Sequence, residues 1–267
     1  MNEYSKPAIE SIIGQDYSNF ELLILDSSVN QEFKGWDKQD VRIRSIRIEP
    51  SANLSKSLNV GLKLSRGEFI ARMDSDDIAL PARFAIQIKH MVNHPGTQIL
   101  GGGIRFIGHA SHEKGLIGKQ LIIESSQDNY MTYLMYKNPL FHPTVMFRKE
   151  VFIDEGNFYN EKYVRAQDIE LWSRLSRNYK IHNLSEVVLE YRIHSTQSGR
   201  TQPKISKFFS TTAKLKHSFW MAFNQREARS KAILNIFRIL TGLPSIYLQY
   251  LIARINFPSR LKKKNAN

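Results

Sequence analysis

The sequence predicts an α/β protein: a mostly parallel, Rossmann-like sheet flanked by helices, with a helical, basic and apolar C-terminal region. Three observations predict it. Short apolar runs alternate with helix-patterned segments through about residue 95, as β-α units around a parallel sheet do. Two of those runs, Leu22–Leu25 and Phe69–Met73, lead straight into carboxylates. Ligands of open α/β sheets bind beyond the carboxyl ends of the strands. After about residue 200 the composition turns to Lys, Arg, Ser and Thr interleaved with Phe and Trp. The expected division is a first domain of residues 1–200 and a helical region of residues 201–267.

Each element follows from its pattern. Ile9, Ile12 and Ile13 recur at helical spacing within residues 5–14. Leu22–Leu25 is a short buried strand. Val41–Ile48 alternates apolar with basic residues, with one slip at Ser45, and is a second strand. Leu54, Leu58, Gly61 and Leu62 mark a helix ending near Gly67. Phe69–Met73 is the next strand. Pro81–Asn93 is helical, with Phe84, Ile88 and Met91 on one face. Gln98–Ile107 is a strand loosened by glycine, residues 126–137 are a helix and Thr144–Phe147 a strand. Asp168–Arg177 is a helix with Leu171, Trp172 and Leu175 on one face, and Val187–Ile193 closes the series as a strand.

Composition narrows the function. At 267 residues the chain can bury a sizeable core. With no cysteine there is no disulfide framework, zinc-thiolate site or cysteine nucleophile, which suits a reducing compartment. The balance of 38 Lys+Arg against 25 Asp+Glu, formally +13, suits an anionic partner: a nucleotide, nucleic acid or an acidic membrane face. The opening residues Met1 to Ser5 are polar, unlike a secretory leader. A serine-hydrolase elbow and a Gly-x-x-x-x-Gly-Lys phosphate loop are both absent, and Gly101-Gly102-Gly103 lacks the strand-turn-helix setting of such a loop. No nucleic-acid-binding motif supports the charge-based alternative, so no nucleic-acid partner is expected.

Residues 67–77 read Gly-Glu-Phe-Ile-Ala-Arg-Met-Asp-Ser-Asp-Asp. In extended backbone, Asp74 and Asp76 point the same way. Two hard oxygen ligands on one side suit Mg²⁺ or Mn²⁺. An acidic turn capping the next helix is the competing reading.

Four segments in order resemble the inverting family 2 glycosyltransferases, covering roughly residues 4–200. They are Ser18–Asp26, Asn53–Leu62, Gly67–Asp77 and Ala166–Leu175, the last similar to that family's "ED" segment. The resemblance implies a GT-A type fold, a nucleoside diphosphate sugar as donor, and Mn²⁺ or Mg²⁺ as cofactor. It implies that Asp76 ligates the metal and that Asp74 contacts the ribose or the metal shell. Asp26 then faces the nucleobase and ribose, and Asn53 the base edge. Asp168 matches the general base, with a helix cap as its other reading. His194 matches a metal- or phosphate-facing position, and His142 lies near the acceptor side with a weaker claim. Asp77 is expected to cap the following helix. The family usually has Glu before the base; here it is Gln167. It commonly has a second acid after Asp26; here it is Ser27.

The family also opens with an apolar strand and a Pro-x-Tyr-Asn-type loop, whereas this sequence starts inside that loop at Met1–Tyr4. The resemblance therefore implies an absent central strand, with unpaired edges beside Leu22–Leu25. A start further upstream and a degraded, inactive copy are the two readings of that absence.

The tail adds a partner. Ile233–Ile255 is apolar but interrupted by Arg238 and Gly242-Leu243-Pro244, and Lys262–Lys264 follow. Such a stretch fits helices lying in a membrane interface, with a helical hairpin packed on protein as the alternative. The expected activity is metal-dependent, inverting sugar transfer to a growing polysaccharide or lipid-linked glycan, in the cytoplasm at the inner face of a membrane. The alternative is a catalytically impaired relative that binds a nucleotide or glycan.

Overall fold

The computed structural model describes residues 3–30, 33–108, 115–123, 127–153, 155–197 and 201–242. Helix α1 (Ser5–Ile13) buries Ala8, Ile9 and Ile12, the periodic residues of its sequence. Strands β1 (Leu22–Asp26) and β2 (Ile43–Arg47) pair in parallel, Leu22 opposite Ile43. Helix α2 (Leu54–Leu64) begins at Asn53, whose side chain accepts from the Lys56 N–H. Strands β3 (Phe69–Ala71) and β4 (Ile78–Ala79) flank the acidic turn, and α3 (Arg83–Asn93) follows. Then come β5 (Ile99–Gly108), β6 (Gln120–Leu121), α4 (Gln127–Leu134) and β7 (Met146–Arg148). The chain continues through α5 (Gln167–Leu175), β8 (Ile181–Ile193), α6 (Pro203–Asn224) and α7 (Arg229–Thr241).

The larger sheet runs β3-β7-β5-β8-β4, with β6 added on β5. It is mixed rather than mostly parallel. Of its pairings only β5/β8 is parallel, with Ile99 opposite Ile181 and Gly108 opposite Ile193. The β3/β7, β5/β7, β4/β8 and β5/β6 pairings are antiparallel. Apolar runs announce strands, but strand direction is decided by long-range chain path, which local periodicity does not carry.

The sheet is covered on both faces. Successive strand residues point to opposite sides. Ile99 and Phe147 accordingly join Leu171, Trp172 and Leu175 of α5, while Leu100 and Met146 join Ile12, Phe84 and Met91 of α1 and α3. The glycine run in β5 is a close-packing device. A Cβ on Gly102 would lie 2.6 Å from Val188 Cγ2, and one on Gly101 would lie 2.4 Å from Leu140 Cδ2. Glycine leaves room for these side chains against the β5 backbone.

Among the described residues β1 pairs only with β2, and β3 only with β7, so no strand joins the two sheets. Glu21 ties the region together instead, accepting from the Arg66 N–H at 2.6 Å and from Arg44 Nη1 at 2.6 Å.

Helices α6 and α7 pack against the preceding residues. Ala213 of α6 shares a core cluster with Leu171 and Trp172. Asn235 of α7 donates to Met135 O at 3.0 Å and to Ser218 Oγ at 2.9 Å. No helix among the described residues is long and apolar enough to cross a membrane. The remainder of the apolar stretch, residues 243–255, and Lys262–Lys264 lie outside the described residues.

Candidate active site

The carboxylates sit in a turn. Strand β3 ends at Ala71, earlier than the expected Met73, and Asp74–Asp77 connect it to β4. The turn converges three carboxylates rather than two: Asp74, Asp76 and Asp77 each place an oxygen within 4.8 Å of the others.

The three are held differently. Asp74 is gripped by the buried Arg72, whose Nη1 donates to Asp74 Oδ2 at 2.7 Å and whose Nη2 donates to Oδ1. Asp76 Oδ2 lies 2.8 Å from His194 Nε2, brought from the end of β8. The other nitrogen of His194 meets Thr196 Oγ1 at 2.8 Å, and the Tyr4 ring lies 4.9 Å from the imidazole. Asp77 is buried and does not cap a helix. Its Oδ1 accepts from the Arg192 N–H of β8 at 2.8 Å, and β4 intervenes before α3 begins at Arg83. Burial first, then the Asp74 and Asp76 charges, push its carboxyl well above the usual range. Its Oδ2 is buried without a hydrogen-bond partner.

This donor set fits a divalent cation. Its clustered oxygens come from three carboxylates, with the His194 imidazole beside Asp76, and only Asp74 has a guanidinium partner in Arg72. The unpartnered Asp77 oxygen is a further potential donor in the same cluster.

Below the turn lies a buried polar ladder. Arg83 Nη2 donates to Arg72 O at 2.8 Å and its Nε to Gln87 Oε1 at 3.1 Å; Gln87 in turn donates to Thr144 O at 2.7 Å. Burial pushes Arg83 down to about 9. The ladder anchors Arg72, and thereby Asp74, to α3 and to the β7 approach.

Asp168 lies in the first turn of α5, one residue past its start, so it is not the N-cap. The cap position is Ala166 in the left-handed region (φ 52°, ψ 28°), a conformation that costs a residue with a Cβ roughly 1–2 kcal/mol. Asn138 Nδ2 donates to Asp168 Oδ2 at 2.5 Å. Burial pushes the Asp168 carboxyl up. Hydrogen bonds from Ile169 N–H and Asn138, and the Arg72 charge, restrain the rise. Arg72 thus acts on Asp74, Asp77 and Asp168 together.

The remaining residues are placed elsewhere. Asp26 is buried at the end of β1, in the other sheet; its Oδ1 accepts from Ser28 N–H at 2.9 Å and Ser28 Oγ at 2.5 Å. Arg47 Nη1 lies 3.5 Å from its Oδ2. Asn53 is a helix cap that also donates to Glu161 O at 2.8 Å, leaving one amide hydrogen for any ligand. His142 is a core residue: Nε2 meets Tyr159 OH at 2.7 Å and the ring packs edge-on to Trp172. Burial and then the Arg72 charge push its pKa well below the ordinary value, so it stays neutral.

Sequence reasoning missed Arg72 and Asn138. Arg72 left a signal: it is the one charge inside the apolar run Phe69–Met73, and such a charge is buried only with a partner. Asn138 left none, because its role depends on a fold that brings it to Asp168.

Comparison with known proteins agrees with this geometry. The profile described as "Glycosyl transferase family 2" matches residues 2–155. The O-antigen biosynthesis glycosyltransferase WbnJ of Escherichia coli is 31% identical over 208 residues, 75% of this chain and 78% of that protein. The E. coli UDP-Gal:alpha-D-GlcNAc-diphosphoundecaprenol beta-1,3-galactosyltransferase is 24% identical over 221 residues, covering 80% and 77% of the two chains. The crystal structure of S. aureus TarS in complex with UDP-GlcNAc superposes with a TM-score of 0.61 at 16% identity, covering 95% of this chain and 84% of that one. That likeness shows a shared GT-A fold. With its carboxylate turn, its sheet and these relatives, the chain belongs to glycosyl transferase family 2.

Proposed function

We propose that this glycosyltransferase moves a sugar from a nucleoside diphosphate sugar to a hydroxyl of a growing surface polysaccharide or lipid-linked glycan. Transfer inverts the anomeric carbon, depends on Mn²⁺ or Mg²⁺, and takes place in the cytoplasm at the inner face of a membrane. The observation that carries the reading is the shared position of Arg72. One buried guanidinium grips Asp74 of the carboxylate turn and also acts on Asp168, so a candidate donor site and a candidate base share one electrostatic environment.

Asp168 is the base. The acceptor oxygen attacks the anomeric carbon, its proton passes to Asp168, and the bond to the diphosphate oxygen breaks with its electron pair leaving on the diphosphate. A carboxyl raised by burial is a better proton acceptor than an ordinary Asp. Asn138 orients it through Oδ2. Asp76 and His194 hold the cation, with Asp74 and Asp77 completing the acidic cluster. When bound, the cation neutralises charge on the leaving diphosphate. Asp26 contacts the nucleoside, and Asn53 contributes its free amide hydrogen.

Calorimetric titration of UDP-, GDP- and dTDP-sugars, with and without Mn²⁺, tests the donor class. Affinity for at least one donor that rises with Mn²⁺ supports the reading. Metal-independent binding, or none to any donor, contradicts it.

A further inference from the structure

Helix α6 is apolar on two faces. Its inward face buries Ala213, His217, Ser218, Met221 and Ala222, with Phe209 and Trp220 packed against the core beside them. Its outward face carries large apolar residues as well. Ile205, Phe208, Phe219 and Phe223 are all exposed, Phe208 by 64% and Phe223 by 78%. With half-buried Thr212 and Leu215 they recur at steps of three and four residues, a stripe of about 80° on a helix of 3.6 residues per turn. Solvent-facing helix sides are ordinarily polar. Helix α7 repeats the pattern with exposed Ile233, Phe237 and Leu240.

Both helices carry charge of one sign, with Glu227 in the turn between them. Helix α6 carries Lys204, Lys207, Lys214 and Lys216 and no acidic residue; α7 carries Arg229, Lys231 and Arg238 and none either. An open depression of about 390 Å³ on α6 is lined by Lys204, Lys207, Phe208, Thr211, Thr212 and Leu215, two ammonium groups beside an apolar floor. A second copy of the chain would bring the same positive charge to the same face, so self-association is electrostatically opposed.

We infer that the outward stripe of α6, extended by α7, is a docking surface for an anionic lipid bilayer. The aromatic residues enter the acyl boundary while the lysines stay among the phosphates. Burial and charge are the two signals that together give stable interfacial attachment. The inference rests on the membrane location proposed above and not on the chemistry of sugar transfer.

The test is co-sedimentation of the full chain with phosphatidylcholine vesicles, with and without phosphatidylglycerol. The wild type is expected to pellet with the anionic vesicles, weakly with the neutral ones, and less at high salt. Phe208→Ser with Phe223→Ser should weaken the apparent affinity at least tenfold, as should Lys204→Glu with Lys207→Glu. All four positions are exposed, so melting temperature and Mn²⁺-dependent donor binding should stay at wild-type values. Equal pelleting of wild type and both double variants would overturn the inference, as would no pelleting of the wild type. A wild-type dimer that the phenylalanine variants dissociate would assign the stripe to a second copy and equally overturn it. Loss of vesicle binding with donor binding intact separates this surface from the donor site.

Discussion

His194 Nε2 lies 2.8 Å from Asp76 Oδ2, across 118 residues of sequence. One residue comes from the acidic turn after β3 and the other from the end of β8, and β4 carries the turn to β8 through Ile78 opposite Glu190. The pairing is therefore a product of the sheet rather than of the local motif.

Asp76→Asn should leave the fold intact and abolish the Mn²⁺-dependent part of donor affinity, because a neutral amide is a poor ligand for a hard cation. His194→Ala should weaken the same component less, since the carboxylates remain. Calorimetry with and without Mn²⁺ checks both; metal-dependent affinity unchanged in Asp76→Asn would remove that residue from the site.

Asp168→Asn should lower turnover by roughly 10²–10⁴-fold while donor affinity survives, the usual span of a general-base contribution. The pH dependence has a definite sign. A base must be ionised, and burial raises Asp168, so the acidic limb of the rate should fall above the value of about 3.9 for an unperturbed Asp. Asn138→Ala removes a donor that favours the ionised form and should move the limb to higher pH. A rate profile in which the limb moves down, or stays, contradicts that role for Asn138.

Arg72→Gln should also move the Asp168 limb upward, since it deletes a positive charge that favours ionisation. It should weaken Mn²⁺-dependent donor affinity as well, because Asp74 loses its bidentate anchor. Arg72→Lys keeps the charge but not the planar fork, so it should restore the limb better than the affinity. Parallel pH profiles and titrations of the two variants separate charge from geometry.

Ala166→Gly should stabilise the protein by about 1 kcal/mol, because glycine adopts the left-handed region without the Cβ clash. A rise in melting temperature of about 2–4 °C corresponds to that change for a domain of this size. An unchanged or lower melting temperature would show that Ala166 is not strained.

Much of this architecture was legible before the structure. The helices around Ile9, Leu58, Phe84 and Leu171 lie where apolar spacing placed them, because one buried face leaves a periodic trace. Strand β8 was half visible: Val187–Ile193 read as a strand, but its first part, Ile181 to Ser185, carries His182 and Asn183 and breaks the alternation. Its register shifts against β5 at Gly101 and Gly103, which further masks the pattern. Strands β4 and β6 are two residues each, too short for any periodicity. At the site, the acidic motif was plain in sequence. The burial of Arg72 and Asp77 was not, because α3 and β8 close over the turn only in the fold.

The most direct test of sugar transfer is release of nucleoside diphosphate from a panel of nucleotide sugars, in the presence of Mn²⁺ and a lipid-linked glycan acceptor, by the wild type and by Asp168→Asn. The account predicts release from at least one donor that requires both Mn²⁺ and acceptor and that falls by roughly 10²-fold or more in the variant. Release that ignores the metal, or that Asp168→Asn leaves unchanged, would contradict it.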